Sequence, residues 1–173
     1  ISLGLVGSEM CIRDSGITEE SIDKIVKMDE EKKIKVTTLH IHTGSDIIEN
    51  NHFELGIKKI FLIAHKFKNI ETIDLGGGIK IPYFFGDTET DLNKYAEVIN
   101  EEVKKFKVTK GKELKIIFEP GKFLVSDSGY FITKVNYLKK SSKNTFVQVN
   151  SGFNHFVRPT LYKSYHEIVN LSN

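Results

Sequence analysis

The sequence predicts an α/β protein built from parallel β/α units, followed by a β-rich segment. Three observations carry that expectation. From Gly16 to about Val125, helix-like and strand-like stretches alternate. Each short apolar strand runs straight into polar or glycine-rich residues. After about Val125 two strand-like runs follow one another with no helix between them. Chemistry gathered at the carboxyl ends of strands marks a parallel sheet or a (β/α)8 barrel.

The elements follow in order. Thr18 is the expected N-cap of a first helix, with Glu19 and Glu20 in its first turn, where carboxylates suit the helix dipole. Ile22, Ile25, Val26 and Met28 share one face of it. A strand is expected over 35–42, ending in His40-Ile41-His42-Thr43-Gly44-Ser45. A helix over 51–67 puts Ile57, Ile60, Phe61 and Ala64 on a buried stripe. A strand over 71–75 then delivers Gly76-Gly77-Gly78. The next helix, over 91–106, carries Leu92, Tyr95, Ile99, Val103 and Phe106 at helical spacing, and a strand over 114–118 leads into Glu119-Pro120-Gly121. Beyond these, 129–138 and 145–149 are expected as strands joined by a polar Lys/Ser/Asn turn.

Composition narrows the function classes. The 173 residues are 39% hydrophobic and 28% charged, the balance of a soluble globular protein. A formal net charge of +2, with lysines scattered rather than gathered in a stripe, gives no reason to expect a nucleic-acid partner. No apolar run approaches the roughly 20 residues that span a bilayer, so no membrane partner is expected. The single cysteine, Cys11, fits a reducing, cytoplasmic compartment. Residues 1–15 differ in style from the remainder and lack the basic start of a signal peptide. They are read as non-native or disordered and set aside. The expected domains are therefore 16–125, a β/α unit set, and 126–173, the start of a β-rich domain. No metal site is expected.

Four groups of residues carry chemistry. Three glycines after a strand expose backbone N–H groups and permit φ values closed to other residues, which suits either an anion seat or a close-packed turn. His42 and Ser45 lie just past a strand end in a turn that Gly44 allows; a backbone-satisfied histidine and a ligand-facing one are both open. Glu119 follows Ile116-Ile117-Phe118, which implies burial, and a buried carboxylate needs a cationic or hydrogen-bonding partner. Arg158 precedes Pro159 and is therefore expected in extended backbone, either solvated or clamping a carboxylate together with Tyr162.

In this order the motifs resemble the fold-type III pyridoxal-phosphate decarboxylases of basic amino acids. The carrying residues are His40 to Ser45, then Asp74-Leu75-Gly76-Gly77-Gly78, then Glu119-Pro120-Gly121-Lys122, then Ser151 to Tyr162 with Tyr165-His166. The resemblance implies the C-terminal part of an alanine-racemase-like TIM barrel followed by the start of a β-rich C-terminal domain. It implies pyridoxal 5′-phosphate as cofactor. His42 would stack on its ring, Glu119 would pair with the ring nitrogen, and Ser45 would bind its phosphate. Gly76, Gly77 and Gly78 would cradle the phosphate through their amides, helped by Pro120, Gly121 and Lys122. Lys122, Arg158 and Tyr162 would grip substrate carboxylates. Lys122 stands where the family has arginine, and a lysine lacks the planar two-pronged fork.

The activity implied is decarboxylation of meso-2,6-diaminopimelate to L-lysine, the last step of lysine biosynthesis, by a homodimer. Arg158 supports a substrate with a distal carboxylate; ornithine, arginine or carboxynorspermidine as substrate, or a non-catalytic binding protein of this fold, are the alternatives. The family's cofactor-bearing lysine and its later Cys-Glu-Ser motif have no counterpart in this chain, and Lys80 does not occupy the lysine's place. The expectation is thus of an internal fragment, inactive and poorly stable alone, because a barrel needs about 250 residues and eight strands.

Overall fold

A computed structural model describes residues 16–46 and 50–172. Residues 1–15, with Cys11, lie outside the described residues. The chain divides into two compact units: 1–81 with 88–124, and 82–87 with 125–173.

The first unit holds a three-stranded parallel sheet, β1 (Thr38–His40), β2 (Thr72–Asp74) and β3 (Lys115–Ile117), in the order β1-β2-β3. Helices α1 (Ile22–Glu30), α2 (Asn50–Ala64) and α3 (Leu92–Lys110) alternate with the strands. A single 3-10 turn, Glu19–Ser21, intervenes between Thr18 and α1, so Thr18 caps that turn through its carbonyl and makes no side-chain cap bond. The strands are shorter than expected at both ends, yet the slanted ladder continues past their carboxyl ends. Ile41 N–H donates to the Asp74 carbonyl at 2.9 Å, Leu75 N–H to Ile117 at 3.0 Å, and Glu119 N–H to Gly76 at 2.8 Å.

Alternation assigns the two sheet faces. Leu39, Ile73 and Ile116 pack toward the helices, with Ile73 fully buried. Against them lie Ile57, Ile60, Phe61 and Ala64 of α2 and Tyr95, Ile99 and Phe106 of α3, all buried. Leu92, expected on this stripe, is exposed at the first position of α3. Burial pushes the Tyr95 hydroxyl pKa up. Helix α3 begins at Asp91, whose carboxylate accepts the N–H groups of Asn93 and Lys94 at 3.0 and 3.1 Å. It runs a full turn past the expected end and stops at Gly111, where φ is 67°. Buried Asp29 closes the α1–β1 connection by accepting the Val36 N–H at 2.9 Å.

Past the glycines, buried Lys80 is fixed at both ends. Its N–H donates to Thr90 Oγ1 at 2.8 Å and its ammonium donates to the Thr88 carbonyl, which pinches together the two ends of the 82–87 excursion.

The second unit contains an antiparallel hairpin, β4 (Val135–Lys140) with β5 (Thr145–Val149), irregular between Val135 and Tyr137. Its turn is tied by Ser141, whose N–H donates to the Asn144 carbonyl at 2.8 Å and whose hydroxyl accepts the Asn144 N–H at 3.0 Å. The strand expected from residue 129 begins only at Val135. Two short helices were not foreseen: α4 (Gly121–Val125) and α5 (Arg158–Tyr162). The second corrects the extended backbone expected at Arg158. Pro159 sits in the first turn of α5, where its missing N–H leaves no intrahelical bond unmade, and that outweighs the bias against helix before a proline.

Candidate functional site

The sheet face turned away from the helices carries the polar strand ends. In the ladder His40 is the direct partner of Asp74, and Asp74 is the partner of Ile117. Side chains two apart on a strand share a face, so Glu119, two residues beyond Ile117, arrives on the same side as His40 and Asp74. One nitrogen of His40 and one carboxylate oxygen from each of Asp74 and Glu119 lie within 4.8 Å of one another.

Glu119 is not buried: its side chain is 54% exposed. The apolar residues before it implied otherwise, but Ile116 is the one that faces the helices, and the parity of the strand turns Glu119 outward. It has a close neighbour all the same. His40 Nε2 lies 3.3 Å from Glu119 Oε2.

The glycine turn takes up backbone that its residues allow. Gly76 and Gly78 have φ of 65° and 97°, the left-handed region that glycine enters without steric penalty. It is also a close-packing point. A Cβ on Gly76 would stand 2.6 Å from the Ile41 carbonyl oxygen and 2.8 Å from His42 Nδ1, and one on Gly77 would stand 2.4 Å from the Glu119 carbonyl oxygen. The amides are partly spent internally. Gly76 N–H donates to Asp74 Oδ1 at 2.9 Å, and Gly77 N–H donates to His42 Nδ1 at 3.2 Å. Of the three, only the Gly78 amide makes no hydrogen bond among the described residues. Because His42 Nδ1 accepts, the neutral ring carries its proton on Nε2.

Ser45 is exposed in the bend between Gly44, φ 138°, and Asp46, a non-glycine residue at φ 57°. The Lys122 ammonium pairs with Asp46 Oδ1, which ties this bend to the start of α4. That pairing was not foreseen, and it engages the cation expected to grip a substrate. Around Pro120 the chain folds tightly, the Gly121 N–H donating to the Glu119 carbonyl at 2.8 Å. Thr43 Oγ1 is buried and has no partner among the described residues.

Arg158 and Tyr162 belong to the second unit, at the two ends of α5. The Arg158 guanidinium donates to the hydroxyls of Tyr83 and Ser164 at 3.4 and 3.3 Å. Neither partner was singled out in the sequence. His166 Nε2 is buried without a partner among the described residues. Desolvation, and secondarily the Arg158 charge, hold the His166 pKa below its ordinary value of 6.5. Tyr162 is exposed.

Comparison with known proteins places these features in context. Residues 15–126 match the family model of the pyridoxal-dependent decarboxylase pyridoxal binding domain, and residues 122–173 match that of the pyridoxal-dependent decarboxylase C-terminal sheet domain. The chain is 39% identical to the diaminopimelate decarboxylase of Buchnera aphidicola (subspecies Acyrthosiphon pisum) over 79% of its own length and 33% of that protein's. It is similar to a crystal structure of diaminopimelate decarboxylase, with a TM-score of 0.79 and 29% identity over 88% of this chain and 36% of that one. The Helicobacter pylori diaminopimelate decarboxylase, in complex with L-lysine, matches with a TM-score of 0.71 and 30% identity, over 84% of this chain and 37% of that one. The chain thus spans about a third of the length of the relatives it matches.

Proposed function

This chain belongs to the pyridoxal-dependent decarboxylases, and from that membership we propose that the whole protein carrying it converts meso-2,6-diaminopimelate to L-lysine and CO2, with pyridoxal 5′-phosphate as cofactor. The supporting observation in the chain itself is the strand-end cluster. A turn that admits no Cβ at Gly76 or Gly77 packs against His42 and the Glu119 backbone, and the Glu119 carboxylate stays accessible beside it. The donor set suits a phosphorylated aromatic cation: an amide at Gly78 and a serine hydroxyl for the phosphate, an imidazole for the ring, a carboxylate for a protonated nitrogen.

Pyridoxal phosphate, when bound, supplies an electron-accepting ring to the carbon that loses CO2. The chain's own residues do the rest. Glu119 holds a proton at the ring nitrogen by offering it a carboxylate. His42, held through Nδ1 by Gly77, presents its flat face to the ring. Ser45, the Gly78 amide and the backbone of Gly121 and Lys122 hold the phosphate; Gly76 and Gly77 contribute by leaving room, since their amides are engaged. Pro120 sets the bend that aims Glu119. Arg158 and Tyr162 are the residues for the distal carboxylate. Among the described residues no helix is long and apolar enough to cross a membrane, and the family resemblance supports a cytoplasmic homodimer.

The test is expression of the full-length reading frame with pyridoxal phosphate. The expected result is a visible absorbance band abolished by borohydride, and CO2 released from meso-diaminopimelate but not from L-ornithine. Release from ornithine alone overturns the substrate; absence of the band overturns the cofactor.

A further inference from the structure

We infer that His40 is a positioning residue for Glu119, one that fixes which way the carboxylate points. The inference rests on the proposed role of Glu119 at the ring nitrogen and adds a residue to it. Three separate features lead there. First, β1 and β2 pair in a register that puts His40 directly opposite Asp74, on the sheet face the helices leave uncovered. Second, His40 Nε2 reaches Glu119 Oε2 at 3.3 Å. Third, the acceptor atoms of Asp74 and Glu119 lie within 4.8 Å of the same imidazole and of each other.

Two carboxylates that close repel each other, and Glu119 is half-exposed, so left alone its carboxylate would swing away from Asp74. Asp74 cannot yield, because its Oδ1 already accepts the Gly76 N–H at 2.9 Å. An imidazole N–H donated to one oxygen of Glu119 removes that freedom. It occupies Oε2 and leaves Oε1 as the oxygen free to face a ring nitrogen. His40 itself touches neither ring nor substrate in this scheme; it acts through Glu119. It also links the glycine turn to the glutamate, since Asp74 holds the first and His40 contacts the second.

The experiment compares His40→Ala, His40→Gln and Glu119→Gln in the full-length protein loaded with pyridoxal phosphate, reading the visible absorbance of the bound cofactor, kcat and KM. Misplaced catalytic groups lower turnover more than binding, so His40→Ala should lower kcat about tenfold with KM nearly unchanged, and displace the absorbance maximum. His40→Gln keeps an N–H donor near the same place and should recover kcat to within about threefold, together with the wild-type spectrum. A role confined to packing predicts no such rescue and a change in melting temperature instead; that outcome overturns the inference. If His40→Ala matches wild type while Glu119→Gln loses the spectrum and the activity, His40 is not the positioning residue and the reading of Glu119 stands. If Glu119→Gln also leaves the spectrum unchanged, the reading of Glu119 fails, and the inference with it.

Discussion

The two units of this chain use similar proportions of apolar residues to different ends. In the first, Phe61, Phe106, Ile70, Ile73 and Leu75 are sealed between one sheet face and the helices. In the second no described residue is buried: Tyr130 is 94% exposed, Ile132 73%, and both faces of β4 are open. The contrast is one of arrangement rather than composition. A β/α unit brings its own cover, since each strand is followed by a helix that lies on it. A two-stranded hairpin has two faces and nothing of its own to place on either, and such hairpins are marginal in water.

The contrast can be broken by paired substitutions in the chain. Phe106→Ala, in the first unit, should cost about 3–5 kcal/mol by chemical denaturation, whereas Phe146→Ala, in the second, should stay within about 0.5 kcal/mol. Equal losses would show that the hairpin is as well packed as the sheet. Glycines give the next comparison. Gly77→Ala forces a backbone oxygen aside and should cost about 3 kcal/mol, while Gly129→Ala meets nothing within 4 Å and should be neutral or stabilising by about 0.5 kcal/mol. Removing the α3 cap by Asp91→Ala should cost about 1 kcal/mol, readable as reduced helicity and a lower unfolding midpoint.

The smallest effect concerns one histidine in each unit. Burial, then Lys110, lowers the pKa of His65, and burial, then Arg158, lowers that of His166. As pH falls below the ordinary 6.5, the unfolded chain takes up these protons before the folded chain does. Stability is therefore complete above that pH and declines as pH falls toward the folded values. NMR titration of both imidazoles should show midpoints below 6.5; a midpoint above it for either would reverse the sign for its unit.

Much of the first unit was legible because its cues are local. Spacing alone picks out Ile57, Ile60, Phe61 and Ala64, and three consecutive glycines announce a turn whichever purpose it serves. What escaped was non-local or rested on competing local rules. The pairing of His40 with Glu119 requires the register of three strands, which no single motif reveals. The exposure of Glu119 depends on strand parity, and the apolar residues beside it point the other way. At Arg158 two proline rules oppose each other, and the one that favours a helix start prevailed. Lys122 was legible as a cation, but its tie to Asp46 was not, because Asp46 sits in a left-handed bend that aspartate adopts only occasionally.

The clearance at the glycine turn has a consequence for heredity. Every amino acid other than glycine carries a Cβ, so no amino-acid replacement at position 76 or 77 escapes the carbonyl oxygen waiting within 2.6 Å or less. Nor does a larger residue fare differently from alanine at the first carbon. These two positions have no neutral neighbours: a lineage can leave glycine there only if the backbone at Ile41 or Glu119 moves first, and at Glu119 that move would carry the carboxylate with it.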